Sequence, residues 1–92
     1  MVANKVTPVY PKEAANENIE GTVRLRVDVA DSGRIRNIAI VESSGEGNLD
    51  GVAKLTIERG WEFGESADNY SIFLSVHFIE GQVDVEFEEL DL

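Results

Sequence analysis

The only histidine of this 92-residue chain, His77, is the one imidazole that could support acid–base or metal chemistry. A Ser-His-Asp triad or a multi-histidine zinc site would have to be built on it alone, and no cysteine is present to supply a thiolate. His77 lies in a run of alternating apolar and polar residues, on the less apolar side. We therefore interpret it as a surface or partner-contact residue. We expect no catalytic residue, no bound metal and no cofactor.

Acidic side chains are too numerous to identify a site by themselves. Eighteen acidic residues against eight basic ones give a net charge of −10, which opposes binding to nucleic acid. Among so many carboxylates, pairs at the spacing found in glycosidases arise by chance. The loop from Glu42 to Asp50 could gather oxygens around calcium, but its spacing differs from that of an EF-hand loop. A turn followed by a helix cap is the favoured interpretation.

Four arginines fall within 13 residues and form the main concentration of positive charge. They are Arg24, Arg26, Arg34 and Arg36. If they share one face of a hairpin they could bind an anion. Pairing with the surplus carboxylates of the chain is the simpler interpretation.

Two strands that position these arginines are indicated by alternating hydropathy. Residues 22–29 alternate strictly between polar and apolar side chains, which predicts a half-buried strand. Turn residues follow at 31–33, and a second β-rich run covers 34–42, so the two strands should form a hairpin. Because the alternation changes parity within the second run, we expect a bulge near residues 36–37 or burial on both faces.

Two helices are predicted beside this hairpin. Pro11 is suited to a first helical turn, so residues 11–16 should form a short helix. The second helix should have Asn48 as its N-cap and Gly60 after its last turn. Its apolar stripe consists of Leu49, Val52, Ala53, Thr56 and Ile57. Trp61 and Phe63 follow directly, and we expect both to be core anchors.

A third strand and an alternating tail complete the pattern. Residues 70–79 alternate, and one of their two side-chain rows comprises Ser71, Phe73, Ser75, His77 and Ile79. After a turn at residues 80–82, Val83, Val85 and Phe87 alternate with acidic residues, as in an edge strand. Residues 80–92 hold six of the ten excess negative charges. Antiparallel pairing of this tail with the third strand has the smallest loop-closure cost, and the tail would then compete with any partner for that edge.

These elements predict an α+β fold, with two helices packed on one face of a three-stranded antiparallel sheet and the tail as a candidate fourth edge strand. We divide the chain into a flexible arm (1–7), a domain (8–80) and an acidic tail (81–92). The longest apolar run, Ile38–Val41, has four residues, far fewer than the roughly 20 that span a bilayer. We expect no export signal at this start, because no basic-then-apolar segment follows Met1.

Several short motifs occur together in a characteristic order. They are Pro8-Val9-Tyr10-Pro11 with Ala14, Ile19-Glu20-Gly21-Thr22-Val23, Gly33-Arg34-Ile35 with Asn37-Ile38, Ser43-Ser44-Gly45, Leu49-Asp50 with Ala53, and Trp61-Glu62-Phe63. In this order and spacing the chain resembles the carboxy-terminal domain of the TonB family, the periplasmic energy transducers of Gram-negative bacteria. The family-motif positions that we single out are Pro8, Tyr10, Pro11, Gly21, Gly33, Trp61 and Phe63.

The resemblance implies a non-enzymatic periplasmic binding module. Family members are anchored in the inner membrane by an amino-terminal helix and a proline-rich spacer, which are not in this sequence, so the chain is expected to be an excised domain. They grip a short extended segment of an outer-membrane transporter, the TonB box. Here the third strand would accept that segment, with Ser71, Phe73, Ser75, His77 and Ile79 giving selectivity. The alternative function is a self-associating structural or adaptor domain of the cell envelope, with homodimers formed by edge pairing.

Overall fold

The computed structural model describes residues 2–4 and 6–88. Its elements are β1 (Val2–Asn4), α1 (Lys12–Asn16), β2 (Gly21–Val29), β3 (Ile35–Glu42), α2 (Gly47–Gly60), β4 (Glu62–Phe63), β5 (Tyr70–Ile79) and β6 (Gln82–Glu88). Residues 1 and 5 of the predicted arm and residues 89–92 of the predicted tail lie outside this description. Neither of the described helices is long and apolar enough to cross a membrane.

Four strands form one antiparallel sheet in the order β3-β2-β5-β6. The predicted first and third strands, β2 and β5, are neighbours at its centre, and the tail provides β6 as the fourth strand. Residues 80 and 81 connect β5 to β6, and both have positive φ angles of 51° and 76°. Such a tight connection returns the chain directly along the edge of β5. The predicted α+β class, with two helices and an antiparallel sheet, is confirmed.

One face of the sheet is covered by both helices and contains the core. The fully buried side chains of this core come from β2, α2 and β5, and are Val23, Leu25, Val27, Val29, Leu49, Ala53, Ile57, Leu74, Val76 and Phe78. Ala14 of α1 packs into the same cluster. The alternation of β2 therefore predicted its buried row correctly, because residues two apart lie on the same face of a strand. The opposite face carries the polar rows of β2 and β5.

A bulge in β3 accounts for its change of parity and is one of the two arrangements that the sequence predicted. Asp28 pairs with Asn37, whereas the next residue, Val29, pairs with Ile35, so that Arg36 is left without a partner in the ladder. One extra residue shifts the side chains by one position and brings Ile35 onto the same face as Ile38. A second irregularity lies between the pairs of Arg24 and Leu25.

The start of α2 differs from the prediction. The helix begins at Gly47 with Glu46 as its N-cap, and Glu46 makes no side-chain capping bond. Asn48 therefore lies within the first turn and is not the cap. The junction is instead closed by Asp50, whose carboxylate accepts hydrogen bonds from the Ser44 backbone amide at 2.9 Å and the Ser44 hydroxyl at 2.7 Å. A carboxylate in the first turn can bind the preceding loop, which removes the need for a capping side chain at the helix start.

The acidic loop before α2 is thus a structural junction. The Ser43 hydroxyl also donates to Asp50. Burial by itself would raise the pKa of Asp50, but the hydrogen bonds from Ser43 and Ser44 outweigh it and hold the pKa below its ordinary value. Both carboxylate oxygens of Asp50 accept hydrogen bonds from serine donors. Among the described residues, no group of three or more metal-ligating side chains is assembled.

The end of α2 also differs from the prediction. Gly60, which was predicted to follow the helix, is its last helical residue, and Trp61 is the C-cap. Trp61 and Phe63 are 4% and 6% exposed, so their prediction as core anchors is confirmed. The strand β4 that contains Phe63 pairs with β1 in a separate two-stranded sheet. Part of the predicted arm thus takes part in a sheet.

Candidate functional site

The predicted partner row lies on the face of the sheet opposite the helices. Within β5, Ser71, Phe73, Ser75 and His77 alternate with the buried core residues, and Ile79 ends the strand with 51% of its surface exposed. Both edges of β5 are occupied, since β2 lies on one side and β6 on the other. The backbone of β5 is therefore not free to accept a partner while β6 is in place. The role of these five residues in binding stays a prediction.

Four residues of the row face polar or charged neighbours on β2. Across the β2–β5 ladder the register pairs are Thr22 with His77, Arg24 with Ser75, Arg26 with Phe73 and Asp28 with Ser71. The Ser71 hydroxyl donates to Asp28. This bond is the main cause that holds the pKa of Asp28 below its ordinary value. The open face is thus a continuous polar surface with one aromatic ring, Phe73, in its centre.

Glu88 of β6 is bound by side chains from two other strands. Its Oε2 accepts hydrogen bonds from Arg24 Nε at 2.9 Å and Arg24 Nη2 at 2.7 Å. Its Oε1 accepts one from the Ser75 hydroxyl at 3.1 Å. The bonds from Arg24 lower the pKa of Glu88, against a smaller opposing effect of desolvation. Arg24, Ser75 and Glu88 therefore form one interaction that joins β2, β5 and β6.

His77 makes ordinary polar contacts with its neighbours. Its Nδ1 lies 3.0 Å from the Thr22 hydroxyl and its Nε2 lies 3.3 Å from Oε1 of Glu86. Its opposite residue on β6 is Asp84. These contacts fit a histidine that lines a strand interface.

The inner row of β6 lies over the edge of the core. Val83 and Val85 are partly buried against it, whereas Phe87 is 44% exposed. The centroids of the Phe87 and Trp61 rings lie 5.7 Å apart. Trp61 also donates from Nε1 to the carbonyl of Val6 at 2.8 Å. Trp61 is therefore covered on one side by β6 and on another by the segment before α1.

The family-motif residues brace the fold beneath this edge. Tyr10 donates from its hydroxyl to the carbonyl of Ile19, and its ring meets Phe78 edge to face at 5.4 Å. Pro8 is buried and Pro11 is half-buried. At Gly21 an added Cβ would lie 2.8 Å from the Cβ of Ser44. These contacts join the motif residues to the core and to the loops around it, so their signal in the sequence concerns the scaffold.

Gly33 occupies a backbone position that only glycine fits. Its φ is +93°, and a Cβ there would lie 2.1 Å from the carbonyl oxygen of Phe63. We expect Gly33→Ala to destabilise the protein by about 3 kcal/mol or more, because a backbone carbonyl must move in addition to the left-handed strain. Gly45→Ala is the matched control, since its φ is +89° with no atom within 4 Å. It should cost only about 1 kcal/mol. Urea denaturation of both variants measures the difference, and equal losses would contradict the role of the Phe63 contact.

Sequence reasoning missed the partner of Arg24. The arginine cluster was expected to pair with carboxylates, and Arg26 does approach Asp28 at 3.4 Å. The specific bond from Arg24 to Glu88 joins residues 64 positions apart. The available signal was indirect. Both residues lie on outward rows of strands that pair with β5, but their register could not be known before the tail was placed.

Comparison with known proteins agrees with this architecture. Residues 6–88 match the family described as the Gram-negative bacterial TonB protein C-terminal. The chain is 29% identical over 75 residues to Protein TonB of Klebsiella pneumoniae, which covers 82% of this chain and 30% of that protein. It is 30% identical over 60 residues to Protein TonB of Yersinia enterocolitica, covering 65% of this chain and 23% of that protein. The chain thus spans less than a third of the length of these curated relatives.

Proposed function

Because the chain belongs to the TonB C-terminal family, we propose that it is a non-enzymatic, periplasmic binding module of an energy-transducing envelope protein. Its partner is an extended segment of an outer-membrane transporter, which it binds by strand addition at β5. In the whole protein, an inner-membrane anchor would transmit force through this grip. The predicted row on β5 contributes the side-chain contacts.

The observation that carries this proposal is the way β6 occupies β5. Seven consecutive residue pairs join the two strands in antiparallel register. The apolar residues of β6 face the core side and its acidic residues face outward. β6 is therefore an extended segment of the same chain that is already added to this edge of β5. A partner with the same alternation could take the same place.

β6 has the features of a strand that can be displaced. Its burial pattern contains no fully buried residue, in contrast to β5, where four residues are buried. Elements with few buried apolar contacts open locally at a lower free energy than the core. An incoming strand replaces backbone hydrogen bonds that β6 already makes with β5, so the net gain in binding free energy is small. A modest affinity suits a reversible grip.

Removal of β6 should strengthen partner binding. If β6 covers β5 in about 90% of molecules, deletion of residues 82–92 should tighten binding of a transporter-derived peptide about tenfold, because apparent affinity scales with the competent fraction. The measurement is NMR titration of ¹⁵N-labelled protein, followed at the amides of residues 71–79.

A shorter deletion of residues 89–92 is the matched control, since it retains β6. It should bind the peptide as the full chain does. Equal affinity of the full chain and the longer deletion would argue against displacement. Far-UV circular dichroism must show that each truncated protein keeps its fold.

A second candidate function, self-association, is supported by the other edge of the sheet. β3 forms that edge, and Ile40 and Val41 near its end are 39% and 42% exposed. Apolar side chains beside an unpaired strand favour pairing with another chain. Sedimentation velocity over a range of concentrations distinguishes the two functions, since only self-association predicts a concentration-dependent dimer.

A further inference from the structure

Arg24 belongs to β2, yet its guanidinium reaches across β5 to a carboxylate on β6. Two of its nitrogens bind Oε2 of Glu88, at 2.9 and 2.7 Å. In the ladder, Glu88 stands directly opposite Phe73. The guanidinium lies over the Phe73 ring, with Cζ 4.6 Å from the ring centroid. The interaction is therefore made above β5 and joins the strands on both of its sides.

The residues around the Arg24 guanidinium favour its binding to a carboxylate. A planar guanidinium stacked on an aromatic ring loses little further freedom when it binds an acceptor. The Ser75 hydroxyl binds the second oxygen of the same carboxylate, and Ser75 is only 5% exposed. The other acidic neighbour of Arg24, Glu42, is more distant at 3.9 Å and its side chain is 72% exposed. Glu88 is thus the principal acceptor for both donors.

We propose that Arg24 selects partner segments by favouring a carboxylate at the strand position opposite Phe73. This inference rests on the proposed strand addition at β5. When a partner displaces β6, Glu88 leaves, and Arg24 and Ser75 both lose their acceptor. A neutral side chain at the same position leaves these donors poorly satisfied, whereas a carboxylate restores the bonds. The partner segment is therefore apolar at alternate positions and acidic at this one.

Selectivity should be concentrated at this position. The neighbouring acid of β6, Glu86, contacts His77 at 3.3 Å and its side chain is 63% exposed, against 38% for Glu88. A more exposed ion pair contributes less to the free energy of binding. The chain as a whole carries a charge of −10, which disfavours acidic ligands elsewhere on its surface. Release of β6 carries its own three acids away from the edge, which lets one partner carboxylate approach Arg24.

Three synthetic peptides test this inference on the full chain. The first has the sequence of residues 82–88, the second carries Glu88→Gln, and the third carries Glu86→Gln. The second and third have the same net charge, so charge alone cannot separate them. Each is titrated into ¹⁵N-labelled protein, and the amides of β5 and β6 report binding and the release of β6. We expect the Glu88→Gln peptide to bind about fivefold more weakly than the other two.

Variants of Arg24 assign the effect to this side chain. In Arg24→Gln the preference should disappear, and in Arg24→Lys it should be reduced, because lysine keeps the charge but lacks the planar fork. Equal binding of all three peptides to the wild type would overturn the selection by Arg24 and leave strand addition standing. A preference that persists in Arg24→Gln would also overturn it. Binding of none of the peptides would overturn strand addition at β5 and this inference with it.

Discussion

Replacement of Trp61 by alanine is expected to remove about 3–5 kcal/mol from the free energy of unfolding. The Trp61 ring is 4% exposed and lies between Phe63, at 6.3 Å, and Phe87, at 5.7 Å. The substitution leaves a cavity and also removes the hydrogen bond from Nε1 to the carbonyl of Val6. A domain of this size has a total stability of about 5–14 kcal/mol. The variant should therefore melt at least about 12 °C below the wild type.

Far-UV circular dichroism is the appropriate probe, because Trp61 is the only tryptophan. Leu55→Ala is the matched control, since Leu55 is also a large apolar residue of this region but is 46% exposed. Leu55→Ala should lower the free energy of unfolding by less than about 1 kcal/mol. If Trp61→Ala melted within a few degrees of the wild type, Trp61 would not be a core anchor, and a role in a binding surface would have to be considered.

A disulfide that fastens β6 to β5 is expected to abolish partner binding. Ser75 and Glu86 are directly opposite each other in the ladder. Cβ atoms of opposite residues lie about 4.5–5.5 Å apart, close to the separation in a disulfide. The chain contains no other cysteine to interfere. In the oxidised Ser75→Cys, Glu86→Cys protein, β6 cannot leave, so we expect at least a hundredfold loss of affinity for the transporter-derived peptide.

The reduced form of the same protein is the internal control and should recover binding. A second control is the pair Arg26→Cys and Ala39→Cys, which are opposite each other on β2 and β3. A bond there leaves β6 free, so oxidation should not change the affinity. If the oxidised β5–β6 protein binds as tightly as its reduced form, the partner does not displace β6. The amides that shift would then identify the edge of β3 or the outer edge of β6 as the site.

Local patterns were sufficient for most of the scaffold. Strict alternation between Thr22 and Val29 identified the buried row of β2. The change of parity in β3 predicted either a bulge near residues 36–37 or burial on both faces, and the structure shows the bulge. The stripe of α2 was also correct, with Leu49, Ala53 and Ile57 fully buried. These features depend only on side chains that are two to four residues apart, where the periodicity of a strand or helix fixes which ones share a face.

The predicted start of α2 was wrong, and the capping preferences of individual residues could not have shown this. Asn48 is a favourable N-cap residue, but the observed N-cap is Glu46, two residues earlier, and the helix begins at Gly47. Asp50 satisfies the loop through Ser43 and Ser44, and this network depends on how β3 delivers the chain to the helix. A cap preference is worth about 1 kcal/mol. Several hydrogen bonds to one carboxylate can exceed that.

By itself, the sequence determined the class of fold, the buried rows, the anchoring role of Trp61 and Phe63, and the family to which the chain belongs. The tertiary structure decided which residues meet at the β5–β6 edge. It brought Glu88 to Arg24 across 64 positions and placed Ser75 beside both. Such contacts depend on the register of two separate ladders, β2 with β5 and β5 with β6. A shift of one residue in either would turn these side chains to the opposite face of the sheet.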